Sequence, residues 1–160
     1  MKPRPPQLTL WRDAVAPTAD AQWCAGIKVP YLGAMLTLML DTACREPARI
    51  DAQLHLPLPP AATPRQIRDA AESWLREEAL RIFSTLVAQK SAQAGRHPAD
   101  TPRLALVFGR RSDWVRCEGG LLRCHWRLVE QPLVVIEQVL GRALAAMQSA
   151  PSCNDFFALA

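Results

Sequence analysis

The sequence is poor in the residues from which metal and disulfide frameworks are built. Its 160 residues include three His and five Cys, and no two Cys stand in a C-x-x-C pair. The odd number of Cys argues against a regular disulfide framework, and the missing C-x-x-C pairs argue against a zinc ribbon. Reduced thiols are the simplest interpretation, and they predict a cytoplasmic protein.

Long hydrophobic runs are also absent. The longest apolar stretch, residues 31–40, is interrupted by Gly33 and Thr37 and is too short to cross a bilayer. The first residues are followed by no apolar segment of the kind that a signal peptide needs. The sequence therefore predicts no membrane association. The net charge of +4 weakly favours acidic partners.

Proline separates a short N-terminal arm from a remainder of domain size. Pro3, Pro5, Pro6 and Pro17 interrupt any regular element near the start of the chain. We therefore predict a flexible arm over residues 1–22 and one domain over residues 23–160. A chain of this length is long enough to bury a hydrophobic core.

The periodicity of apolar residues predicts a mixture of helices and strands. Runs at 35–40, 53–56 and 104–108 have the length of strands; 41–51 connects the first two, and the third should be buried. A capping box at Thr63 and Gln66, with Pro64 between them, begins a long helix that should end near Ser91. Its predicted apolar face consists of Ile67, Ala71, Trp74, Leu75, Ile82, Phe83 and Leu86. Its predicted ion pairs are Glu72–Arg76 and Glu77–Arg81.

The pair Gly119-Gly120 predicts the turn of a β-hairpin. Strand alternation then predicts a core face and an outer face. The core face would hold Val115, Cys117, Leu122, Cys124, Trp126 and Leu128. The outer face, which we name the basic-aromatic strip, would hold Trp114, Arg116, Arg123, His125 and Arg127. Two Arg facing each other repel, so Glu118 or an anionic ligand should offset them.

The order of these segments resembles the YgjP-like zinc metallopeptidase family. The family's pattern is roughly R-x-x-W-G-S-C, then L-N-W-R-L, then P-x-x-V-I-x-x-V-x-x-H-E-L-x-H. An earlier Y-L-G of the family corresponds to Tyr31-Leu32-Gly33 in this chain. The matching residues are Arg111, Trp114, Cys117, Trp126, Arg127, Leu128, Pro132, Ile136 and Val139. The resemblance implies a zincin-like α+β fold with a small mixed sheet, the long helix and a motif-bearing helix from Pro132 to about Gln148. A short terminal helix is expected around Phe156.

The catalytic residues of that pattern are missing. Where it has His, Glu and His, this chain has Gly141, Arg142 and Ala145. Two His four residues apart grip one zinc ion, and the Glu acts as general base. Gly and Ala have no donor atoms, and Arg has no acceptor. The third His of the family would fall near Pro151 or Ser152, where none is present. We therefore predict no catalytic residues, no metal ligands and no cofactor, the family's zinc having been lost.

Two classes of function remain open. The first is a pseudoenzyme, a non-catalytic binding or regulatory module that binds an anionic ligand or peptide through the basic-aromatic strip and Arg142. The plain alternative for the strip is a solvated sheet face; nucleic acid is a weaker prediction, and no oligomeric state is predicted. The second class is a metal-dependent hydrolase, a peptidase or nucleotide pyrophosphatase as the resemblance implies, which acts through residues that the sequence does not identify.

Overall fold

A computed structural model describes residues 22–109 and 113–149. These residues group into two compact units, one made of residues 22–30 and 35–68, the other of residues 31–34, 69–109 and 113–149. The greater part of the predicted arm and the helix expected around Phe156 lie outside the described residues. Within the described part, no helix combines the length and the apolar character that a membrane span requires.

The first unit contains most of a four-stranded sheet. Its strands are β1 (Lys28–Tyr31), β2 (Ala34–Leu40), β3 (Ala48–Ile50) and β4 (Gln53–Leu56), in the order β1-β2-β4-β3. β4 runs parallel to β2 and antiparallel to β3. The strands predicted at 35–40 and 53–56 are confirmed as β2 and β4. The prediction that 41–51 is only a connection is wrong, because it contains β3, whose three residues are too few to show a period.

The turn between β1 and β2 belongs to the second unit and explains the Tyr-Leu-Gly motif. The backbone N–H of Leu32 donates to the carbonyl of Val129 at 2.8 Å. Gly33 has a φ of +79°, and a Cβ added to it would lie 2.8 Å from Cγ of Pro132. Glycine is therefore required here both by the backbone conformation and by the close approach of Pro132.

Helix α1 (Pro64–Gln93) begins at the predicted capping box. The N–H of Thr63 donates to Oε1 of Gln66 at 2.9 Å, and the N–H of Gln66 donates to Oγ1 of Thr63 at 3.3 Å. These bonds satisfy donors that the first turn of a helix leaves unpaired. All seven residues of the predicted apolar face are buried, which confirms that face.

One of the two predicted ion pairs on α1 forms. Arg76 bonds to Glu72 at 2.9 Å, as predicted. Arg81 does not pair with Glu77, so that prediction is wrong; its guanidinium instead bonds to both carboxylate oxygens of Glu78. The hydroxyl of Tyr31 also donates to Glu78, at 2.7 Å. Arg81 thus pairs with Glu78 and not with Glu77, and Glu78 is also bonded to Tyr31, which is distant in the sequence.

The second unit contains a three-stranded sheet with the order β5-β7-β6. Its strands are β5 (Arg103–Val107), β6 (Val115–Glu118) and β7 (Leu121–His125), and a short 3-10 helix, Pro98–Asp100, precedes β5. β7 is parallel to β5 and antiparallel to β6. The strand predicted at 104–108 is present as β5, but its predicted burial is wrong, because β5 lies at the sheet edge and is only partly buried. Phe108 follows the strand and is 56% exposed.

The predicted hairpin register is confirmed. Val115 faces Cys124 and Cys117 faces Leu122 across β6 and β7. Cys117 is nevertheless exposed, so its assignment to the core is wrong, although its thiol lies 3.6 Å from the carbonyl oxygen of Ala143. Register follows from the turn, whereas burial depends on what packs against the strand.

Beyond β7 the chain leaves the sheet. A 3-10 helix spans Trp126–Glu130, and helix α2 spans Leu133–Ser149. The strand alternation that placed Arg127 on the same face as Arg116 and Arg123 stops at His125, so that placement is wrong. The ends of α1 and α2 agree with the predicted ones to within two residues. The fold is of the α+β, zincin-like class, with two small mixed sheets where one was predicted.

Candidate functional site

The three positions at which the sequence resemblance places the family's His, Glu and His lie together on α2. Gly141, Arg142 and Ala145 line an open groove of about 470 Å³. The other described residues along this groove are Lys90, Val134, Glu137 and Gln138. Because positions 141 and 145 are one helical turn apart, they present adjacent surfaces, as the motif requires. Gly141 and Ala145 offer no side-chain donor atom on that surface.

Lys90, in the last turn of α1, lies against the first of these positions. A Cβ added at Gly141 would be 3.8 Å from Cδ, Cε and Nζ of Lys90. That is ordinary contact, so the space tolerates a methyl group and close packing does not demand glycine here. The ammonium group nevertheless places a positive charge where the family's zinc ligand begins. Such a charge opposes the binding of a second cation.

A smaller pocket of about 100 Å³ shares Lys90, Gly141 and Ala145 with the groove. Its other described lining residues are Ser91, Ala94, Arg96, Leu144 and Gln148. Ser91 is 2% exposed, and its Oγ has no hydrogen-bond partner among the described residues. A buried hydroxyl without a partner costs about 1–3 kcal/mol. The hydroxyl therefore favours any ligand atom that can bond to it.

The cations of the groove and pocket differ from those of the basic-aromatic strip in their pairing. Within the described part of the chain, Lys90, Arg96 and Arg142 form no ion pair. Glu137 is the acidic side chain among the groove residues. The balance of charge around the groove and pocket is therefore positive, which attracts anions.

Each Arg of the basic-aromatic strip already has an acidic neighbour. The ion pairs are Arg116–Asp113 at 3.1 Å, Arg123–Glu118 at 3.1 Å and Arg127–Glu130 at 2.8 Å. The expectation that Glu118 offsets the facing arginines is thus confirmed for Arg123. The structure does not bring these residues to the groove, where Arg142 of the predicted set lies.

His125 of the strip is buried and held on both ring nitrogens. Its Nε2 is 2.9 Å from the carbonyl of Gly109, and its Nδ1 accepts from the N–H of Arg127 at 3.2 Å. Because Nδ1 accepts, Nε2 is the ring nitrogen that can donate to the carbonyl of Gly109. The ring of Trp114 lies edge-on to it, with the centroids 6.4 Å apart. His125 and Trp114 thus support the end of β7.

Sequence reasoning missed one group of potential metal ligands. Asp41, Cys44 and His55 lie in the first unit, and one donor atom of each lies within 4.8 Å of the other two. The first two form a D-x-x-C pair, a weak signal by itself. The third is brought to them by the parallel pairing of β2 and β4, which no local pattern specifies.

Comparison with known proteins identifies the family of the chain. The model of the family described as "YgjP-like, metallopeptidase domain" matches residues 7–141. The match ends at Gly141, so Arg142 and Ala145 lie beyond it. No curated protein and no solved structure is detectably similar. Because the matched residues make up most of the chain, this protein belongs to the YgjP-like metallopeptidase-domain family.

Proposed function

We propose that this protein is a non-catalytic member of its family that binds an anionic ligand in the groove beside α2. The observation that carries the proposal is the set Gly141, Arg142 and Ala145, which lines the groove together with Lys90. A catalytic zinc site needs three protein ligands and an open position. Neither side chain at 141 or 145 has a donor, so the residues present do not fit a zinc ion.

The groove is suited to an anion and not to a metal cation. Loss of a zinc ion removes positive charge from such a site, and Arg142 and the neighbouring Lys90 restore it. An Arg guanidinium forms paired hydrogen bonds with carboxylate or phosphate, and Lys acts as a point charge. The proposed ligand therefore carries a carboxylate or phosphate group. The family's hydrolytic role would be replaced by binding without turnover.

Titration with short polyanions tests this proposal. Tripolyphosphate and citrate are the probes, used with the wild type, Arg142→Glu and Arg103→Glu at low and high salt. Arg103 is an exposed Arg on β5 and serves as the matched control. Because an exposed charge pair contributes about 0.2–1 kcal/mol and the reversal adds repulsion, Arg142→Glu should weaken binding about threefold to tenfold. Salt should weaken wild-type binding as well.

Ser91→Ala adds a test that does not change charge. If the bound oxyanion reaches the pocket, losing the Ser91 hydroxyl should weaken its binding. The same change should stabilise the free protein, because a buried unpaired hydroxyl is removed. Equal effects of Arg142→Glu and Arg103→Glu, or no binding at low salt, would overturn the proposal. Turnover of a nucleotide or peptide would instead favour the hydrolase alternative.

A further inference from the structure

Asp41, Cys44 and His55 converge on one carboxylate oxygen. The thiol of Cys44 lies 3.3 Å from Oδ2 of Asp41, and Nδ1 of His55 lies 3.1 Å from the same atom. The side chains of His55 and Asp41 are 16% and 33% exposed. Three metal-binding atoms of different chemistry thus surround one partly shielded position in the first unit.

The backbone holds these three residues at one end of the first unit's sheet. His55 lies on β4, which pairs with β2 on one side and β3 on the other. Asp41 directly follows β2, and its N–H donates to the carbonyl of Leu56 at 2.9 Å. The N–H of Cys44 donates to the carbonyl of Asp41 at 3.2 Å, closing the turn. Their positions are therefore set by the sheet and do not depend on a long free loop.

Neighbouring groups orient two of the three donors. The N–H of Ala43 donates to Oδ1 of Asp41 at 2.9 Å, which leaves Oδ2 directed toward Cys44 and His55. Nε2 of His55 lies 3.2 Å from Oε1 of Gln53. When the ring proton is on Nε2 and bonds to Gln53, the lone pair of Nδ1 is available to bind a metal. A hydrogen bond to the second ring nitrogen is the usual support of a metal-binding His.

We propose that Asp41, Cys44 and His55 form a binding site for one divalent ion of the zinc class, separate from the positions at which the family's motif falls. The ligands would be the Cys44 thiolate, Nδ1 of His55 and Oδ2 of Asp41, with a fourth position left to water. Tetrahedral zinc with bonds of about 2.0–2.3 Å separates its ligand atoms by about 3.3–3.7 Å. The distances of 3.1 Å and 3.3 Å need to widen only slightly.

The chemistry of the donors selects the ion. Thiolate with imidazole favours zinc and cobalt over magnesium or calcium, which prefer oxygen ligands alone. The ion replaces the thiol proton of Cys44, which is released to solvent, and any proton on Nδ1 of His55.

Cobalt titration of the full chain under reducing conditions tests the site. Wild type should bind one Co²⁺ with a near-ultraviolet thiolate-to-cobalt absorption band, and zinc should displace it. Cys44→Ser should abolish the band, and His55→Ala should abolish saturable binding. Gln53→Leu should weaken binding about tenfold or more but retain the band, because it removes only the support of the His55 ring.

Matched variants identify the thiol and the imidazole involved. Cys24→Ser and His97→Ala change an exposed Cys and an exposed His outside the cluster, and both should leave the titration unchanged. A band that survives Cys44→Ser, or one lost in Cys24→Ser, would overturn the assignment. If the wild type shows a native circular dichroism spectrum but no saturable Co²⁺ binding, the three side chains form hydrogen bonds only and the proposed metal site is wrong. Loss of anion binding at the groove would leave this result unaffected, since the two sites share no residue.

Discussion

At the scale of single residues, glycine has different roles at its different positions. Gly33 combines a positive φ with a contact to Pro132, whereas Gly95 has a φ of +71° and nothing within 4 Å of an added Cβ. Gly141 lies within α2, has no positive φ, and has no atom closer than 3.8 Å to an added Cβ. The sequence showed Gly33 only as part of the Tyr-Leu-Gly resemblance, and its contact with Pro132 is visible only in the fold.

Gly33→Ala should destabilise the protein more than Gly95→Ala. Both changes place a Cβ in the left-handed region, which costs about 1–2 kcal/mol. Only the first also drives the Cβ into Pro132, and overpacking of this kind adds about 1–3 kcal/mol. Urea unfolding of both variants measures the difference in the free energy of unfolding. Equal losses would mean that the turn moves away from Pro132 at little cost.

At the scale of elements, sequence patterns predicted most of what the structure contains. The capping box and Pro64 fixed the start of α1, and Gly119-Gly120 fixed the register of β6 with β7. Short strands and exposure were harder to predict, because β3 has too few residues for a period and β5 is exposed by its place at a sheet edge. The basic-aromatic strip was predicted as continuous because nothing in the sequence shows that the chain turns into a 3-10 helix at Trp126.

Helix α2 offers a test by repair. Gly141→His, Arg142→Glu and Ala145→His together should restore weak zinc binding with little hydrolysis, because two His leave the ion short of ligands. Adding Lys90→Ala should tighten that binding, since the ammonium group lies in contact with the start of the new side chain at 141. Zinc titration of the triple and quadruple variants, each with His55→Ala to remove the separate cluster, provides the comparison.

The proposed opposition between the Lys90 ammonium group and a zinc ion can be contradicted by the same titration. If Lys90→Ala leaves the zinc affinity of the repaired chain unchanged, the ammonium group does not oppose the metal. Strong peptidase activity in the triple variant would show that a third ligand and its supporting groups already exist. Arg103→Ala is the control for the loss of a distant positive charge.

At the scale of the whole molecule, the chain belongs to the family over most of its length, and the loss of the family's chemistry is our proposal. The family match covers residues 7–141, a range that contains Trp114, Trp126 and Pro132, on which the resemblance in the sequence rests. The groove cations could be predicted only in part, because Lys90 is 51 positions before Gly141 and its contact depends on how α1 and α2 pack. Arg142 lines the groove, whereas the residues of the basic-aromatic strip, with which the sequence grouped it, are not among the groove residues.

Zinc analysis of a chain carrying Cys44→Ser and His55→Ala tests the central claim most directly. These changes remove the Asp41–Cys44–His55 cluster, so any remaining tight site must come from elsewhere, the motif region included. After equilibration with trace zinc and dialysis, we expect no stoichiometric zinc, because Gly141 and Ala145 have no donors and Lys90 lies beside them. One tightly held zinc per folded chain would contradict the account and show that other residues complete the family's metal site.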